Sequence, residues 1–239
     1  MLLNYAPASR GPWRLKALLD RDGRAVSSRF IAVRAKAAGW SVVALWGLLN
    51  SPVANAYVFS HLGKRDNTVG EMRQMPVPKA QDVSQLEASA KRYLLAAGRQ
   101  SDGHDLRELL LDVDCEVLRL YNLPAALERS LLDVFTAWER VGAPYLQAGY
   151  IPKAFKADIS LSAYRELTKS WETTNQERGT LIDQSIRGEL DKEGRARLNL
   201  LQAYAEFHVF DVAPRPRRDI EALQNELLSL AEAEGRTMQ

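Results

Sequence analysis

The stretch Leu45-Trp46-Gly47-Leu48-Leu49-Asn50-Ser51-Pro52-Val53-Ala54-Asn55-Ala56-Tyr57 decides how the chain is read. Val42, Leu45, Trp46 and Leu49 fall on one face of a helix opened by Ser41, at spacings of three and four. Asn50-Ser51-Pro52 ends that helix and begins another. Serine is a strong N-cap, and proline at the first helical position sacrifices no hydrogen bond. The second helix turns Val53, Ala54, Tyr57 and Val58 towards a core and runs to about Gly63. The chain therefore centres on two tandem helices with one sharp break.

Upstream, the texture is that of strands and turns. Trp13 to Leu18 alternates at period two, as a half-buried strand should. Asp20-Arg21-Asp22-Gly23 is a turn, and Ser28 to Arg34 can return as a second strand. The expectation is an antiparallel hairpin with basic residues on one face. Downstream, Lys64 to Gly70 reads as a polar, basic loop, and Met72 to Pro78 as an extended segment forced by its prolines.

From Asp82 the pattern is helical. Leu86, Ala90, Tyr93 and Leu94 mark one face, and Leu106, Leu109, Leu110, Val113, Val117 and Leu120 a longer one. Pro124 starts a third helix bearing Leu127, Leu131, Phe135 and Trp138. Residues 142–159 read as a linker. A long helix from Ser160 or Ser162 then carries Tyr164, Leu167, Trp171, Leu181 and Ile182, and Gly188 ends it. Asp191 caps the next, with Leu198, Leu201, Ala205 and Val209 inward. A last stripe, Ile220, Leu223, Leu227 and Leu230, can pack within the chain or dimerise. The expected fold class is α+β: a mixed domain at 1–150 with short antiparallel strands and helices, then an all-α module at 151–239.

Composition is that of an ordinary soluble protein, with 46% hydrophobic and 26% charged residues. No apolar run approaches the roughly 18 residues of a membrane span, and no signal peptide is evident. The single cysteine, Cys115, has no intrachain partner, so the expected location is cytoplasmic. The net charge of +2 is unevenly spread. Residues 1–79 hold 12 basic against 4 acidic side chains, a net of +8, whereas 80–150 and 151–239 carry −4 and −2. A basic segment on a near-neutral chain suits a polyanion, or an acidic partner surface.

Signs of catalysis are missing. There is no Gly-x-Gly turn of the kind that dinucleotide and methyl-donor folds use, and no Pro-Pro dipeptide for an adenine-gripping loop. His61, His104 and His208 are scattered, without the clustered ligands of a zinc site. Neighbouring carboxylates should raise the Cys115 pKa rather than activate it. Asp112, Asp114 and Glu116 are two apart on a helix, which reads as a solvated acidic face rather than a metal cluster. Trp171, Asn175 and Arg178 share a helix face suited to an interhelical polar contact.

Residues 40–79 resemble the target-recognition domain of adenine-specific DNA methyltransferases. The likeness lies in the Leu45–Tyr57 segment, the basic Gly63-Lys64-Arg65, and Met72-Arg73-Gln74-Met75-Pro76-Val77-Pro78. Upstream, Asn4-Tyr5 and Ser9-Arg10-Gly11-Pro12-Trp13-Arg14 look like the start of such a domain. Downstream, Val113-Asp114 to Leu120-Tyr121-Asn122-Leu123 is similar to its closing helix. The resemblance covers about residues 1–150. The last 80 residues instead resemble small bacterial helical proteins of no assigned function.

The resemblance implies double-stranded DNA as partner, and a methyltransferase catalytic subunit that holds S-adenosylmethionine on a separate domain. No cofactor is expected in this chain, which is not an enzyme by itself on this reading. The expected DNA face comprises Arg10, Arg14, Lys16, Lys64, Arg65, Arg73 and Lys79, with Ser60, His61, Asn67 and Thr68 reaching base edges. Two other readings stay open: a helical adaptor that does not bind DNA, and a metal-dependent nuclease.

Overall fold

The computed structural model describes residues 1–23, 27–36, 39–62, 66–79, 82–99, 103–140 and 159–212. The fold is α+β and mostly helical. Two compact units divide between Ser170 and Trp171.

The first unit opens on a small antiparallel sheet of β1 (Leu2–Asn4), β2 (Ala17–Leu18) and β3 (Phe30–Ala32), in the order β2-β1-β3. Leu3 lies opposite both Ala17 and Ile31. Leu3 and Ala17 are buried, so this row faces the core, while Leu18 and Phe30 on the alternate rows are exposed. The expected hairpin does not form. The N-terminal strand lies between its two arms and pairs with each. A three-residue strand carries too little pattern to announce itself. The alternation expected over Trp13–Leu18 also fails, because Trp13, Arg14 and Leu15 are all buried and only Ala17–Leu18 is strand.

The tandem helices are present as α1 (Val42–Asn50) and α2 (Pro52–Leu62), bent by 58° at Ser51. Ser41 Oγ accepts from Ala44 N at 3.1 Å, and Ser51 Oγ from Ala54 N at 3.4 Å, so both serines cap as expected. A one-turn helix, α3 (Val69–Met72), replaces part of the expected loop, with Thr68 as its cap. Then follow α4 (Ser84–Gly98), α5 (Gly103–Tyr121) and α6 (Ala125–Asp133). Gly47 sits where α1 crosses α4. A Cβ there would lie 2.9 Å from Leu86 Cδ1, so any larger residue must displace the buried Leu86 side chain. Leu48, Val58, Leu86, Val113, Val117 and Leu118 form the centre of the core. The third helix is shorter than expected: α6 stops at Asp133, leaving Phe135 buried but Trp138 half exposed.

The carboxylates of α5 are not a solvated face. Asp114 is fully buried and bound by Arg140, Nη1 to Oδ2 at 2.6 Å and Nη2 to Oδ1 at 3.2 Å. Asp112 pairs with Arg165 at 2.9 Å and Glu116 with Arg119 at 2.5 Å. Only Asp114 is set apart; Asp112 and Glu116, four apart, line one cavity, and the cation that buries Asp114 comes from 26 residues away.

The next helix, α7 (Leu161–Lys169), belongs to the first unit. Arg165 is ion-paired with Glu108 and Asp112 on α5, and Leu161 N–H donates to Glu128 Oε1 on α6 at 2.5 Å. The division thus falls twenty residues beyond the expected boundary at 150. Of the expected linker 142–159, only Ile159 is among the described residues, and it is buried. The long helix expected from Ser160 is also two, because Ser170 is extended at φ −150°, ψ 103°.

The second unit holds α8 (Trp171–Ile186) and α9 (Lys192–Val212). Gly188 at φ +74° ends the first, and Asp191 Oδ1 accepts from Gly194 N at 2.7 Å to cap the second, both as expected. Leu198, Leu201 and Ala205 are buried, but Val209 is exposed. Trp171 stacks on His208 at 4.1 Å, and Arg197 grips Glu177 with two bonds of 2.8 Å. The contact expected between helices at Asn175 and Arg178 lies within α8 instead, Arg178 Nη2 to Asn175 Oδ1 at 2.9 Å. The last stripe, 220–230, lies outside the described residues. Among those residues, no single helix is long and apolar enough to cross a membrane.

Candidate nucleic-acid interface

Four asparagines organise the N-terminal ribbon. Asn55 Oδ1 accepts from both Arg14 N and Leu15 N at 2.8 Å. Asn4 Oδ1 takes Lys16 N at 2.6 Å, while its Nδ2 donates to Arg14 O at 2.8 Å. Asn50 pairs with Ala17 in both directions, accepting from N at 3.1 Å and donating to O at 3.2 Å. The amide N–H groups of residues 14 to 17 therefore all go to asparagine side chains. The physical need is plain. The backbone of a strand buried against helices requires partners, and mid-helix peptides have none to spare. A carboxamide offers one acceptor and two donors, so it stands in for the missing strand.

Arg140 secures the same place. Beyond Asp114 it donates to Asn50 O at 2.5 Å, and its guanidinium lies 4.6 Å from the centre of the Trp13 ring. Asn4, Asn50, Asn55, Trp13, Asp114 and Arg140 thus build one latch between the ribbon and the helices.

Two expected DNA contacts belong to this scaffold. Arg14 is 1% exposed; burial draws its pKa down, with the Asp66 carboxylate opposing. Asn67 is 0% exposed, its N donating to Tyr5 O at 2.7 Å and its Nδ2 to Asn4 O at 3.1 Å. Neither faces a ligand at the surface. Residue type alone suggests both as surface contacts, and burial is not visible in a charge count.

Arg10, Ser60, His61, Thr68, Arg73 and Lys79 are exposed, and Lys16 is half-buried. Lys64 and Arg65 lie outside the described residues. Ser60 Oγ donates to Ala56 O, and the His61 ring stacks on Tyr57 at 4.1 Å with Nδ1 2.8 Å from Tyr57 O. Thr68 Oγ1 is engaged with Glu71 N at 3.4 Å. Lys79 follows a segment pinned elsewhere, since Tyr121 Oη donates to Pro76 O at 2.6 Å at the end of α5.

Three segments meet at the C-terminal end of β1. Tyr5 N donates to Arg29 O at 2.8 Å, and Asn67 N to Tyr5 O. The loop bearing Arg10 leaves from Tyr5, and α3, which precedes Arg73, starts just after Asn67. Exposed Arg29 stands at this end, and exposed Arg10 and Arg73 lie five and six residues along the chain from Tyr5 and Asn67. Arg29 is not among the expected contacts, although it lies in the expected basic strand. Guanidinium groups at this end suit phosphates, and the Thr68 hydroxyl follows Asn67 directly.

No group of three or more His, Cys, Asp or Glu able to hold a metal occurs among the described residues. Cys115 is buried, and burial, then Asp114, pushes its thiol strongly up. Comparison with protein families, curated proteins and solved structures finds no match. The class defined by fold and geometry is an α+β protein with an asparagine-latched ribbon and a basic rim.

Proposed function

We propose that the chain binds duplex DNA through the rim at the end of β1, as the specificity part of an adenine-specific DNA methyltransferase. Catalysis and S-adenosylmethionine belong to a domain outside these 239 residues. The observation that supports the reading is the meeting of Tyr5, Arg29 and Asn67 at the end of β1, with exposed Arg10 and Arg73 on the segments that leave it, in the stretch of net +8. Lys64 and Arg65 stand between Leu62 and Asp66 in sequence and add to the same charge. The latch gives this rim a fixed base, and a rigid scaffold is what positions recognition loops.

The test is a salt titration of binding to a short duplex. Each phosphate contact steepens the fall of log affinity with log salt by about 0.9. Replacing Arg29 and Arg73 with alanine should flatten the slope by roughly one to two. Arg187→Ala, at the exposed end of α8, should leave it unchanged. Absence of duplex binding at low salt, or an equal effect of Arg187→Ala, overturns the reading.

A further inference from the structure

A second feature of the first unit adjoins the latch, whose Trp13, Asn50 and Arg140 help to line it. A cleft of about 460 Å³ opens beside β2, within the size range of small-molecule sites. Trp46 and Tyr93, stacked at 5.4 Å, stand in its wall with Leu94. Lys16 and Arg21 line it too, and neither makes an ion pair among the described residues. Arg140 also lines it, but Asp114 matches its charge. Among the described residues, no Asp or Glu lines the cleft. Trp13 completes it, and the buried Nε1 of Trp13 is a donor with no acceptor among the described residues.

These demands are specific. Two cations in one cleft, with Asp20 and Asp22 flanking Arg21 but not lining it, suit an anion, and a lysine with an arginine suits a phosphate. An aromatic and aliphatic wall calls for a flat apolar group. We propose that this cleft binds a nucleoside monophosphate unit, base against the Trp46–Tyr93–Leu94 wall and phosphate at Lys16 and Arg21. The site is independent of the rim at Tyr5, and Arg21 is not part of that rim.

A free nucleotide and an unstacked nucleotide of a DNA strand share this chemistry. The experiment follows tryptophan fluorescence of the full chain, since Trp13 and Trp46 both line the cleft, with deoxyadenosine 5′-monophosphate as probe. Saturable quenching is expected, with deoxyadenosine and inorganic phosphate each binding at least about tenfold more weakly. Arg21→Glu, at an exposed position, should weaken the nucleotide by about tenfold or more. Its melting temperature and its duplex salt slope should stay as in the parent chain. Displacement by a duplex with one unpaired deoxyadenosine, but not by a fully paired one, identifies the strand as the source; no displacement by either identifies the free nucleotide. Phosphate binding as tightly as the nucleotide, or Arg21→Glu binding it unchanged, overturns the proposal. Because the duplex salt slope is read separately, failure here is distinguishable from failure of duplex binding.

Discussion

The two outer strands of the sheet are treated in opposite ways. The outward edge of β2 is closed: Asn50 and Asn55 satisfy the backbone of Arg14, Leu15 and Ala17, and Arg140 ties Asn50 to buried Asp114. Beyond β3 no further strand is added among the described residues, and Ser27 to Phe30 is exposed with Arg29 on it. One edge is spent on holding the fold and the other is left facing solvent. Cationic side chains such as Arg29 and Arg34 also discourage a second strand from adding there. The lesson is that polar residues on the closed edge should act on stability, and polar residues at the open end on binding.

That contrast can be broken most sharply at Asp114. Asp114→Ala leaves the Arg140 guanidinium buried without its carboxylate, and should cost about 3–5 kcal/mol in chemical denaturation. Asn55→Ala orphans two buried N–H groups and should cost about 2–4 kcal/mol, with no effect on a duplex salt slope once folded. If either variant melts like the parent chain, the latch is not what closes the edge. At the open end, the Arg29→Ala, Arg73→Ala pair should change stability by less than about 0.5 kcal/mol while flattening the salt slope. A large stability loss there would erase the distinction between the edges.

Glu128 supplies a pH test away from both edges. Burial raises its pKa, and the hydrogen bond from Leu161 N–H only partly opposes this. The folded state therefore holds the proton more tightly than the unfolded one. Its contribution to stability is fully present below the ordinary carboxylate value and is lost as pH rises through the raised value. Glu128→Gln keeps an acceptor for Leu161 and should flatten the stability profile from mildly acidic to neutral pH. An unchanged profile would remove Glu128 as its source. The smallest effect is expected in the second unit. Arg197 and Glu177 are each 41% exposed, so Arg197→Ala should cost no more than about 1 kcal/mol.

The sequence alone determined the elements whose causes are local. Ser41, Ser51-Pro52, Ser160, Gly188 and Asp191 act on backbone within three or four residues of themselves, so helix starts and stops were legible. So were the α+β class and the concentration of charge in the first third. Tertiary structure decided what depends on residues far apart in the chain. The insertion of Leu2–Asn4 between two expected hairpin arms, the capture of Asp114 by Arg140, and the docking of α7 through Arg165 each join segments 13 or more residues apart. The same holds for the asparagines. Residue type marked Asn67 and Arg14 as surface readers. Only packing shows both to be buried, because a buried backbone edge must find its hydrogen bonds from whatever side chains the fold brings to it.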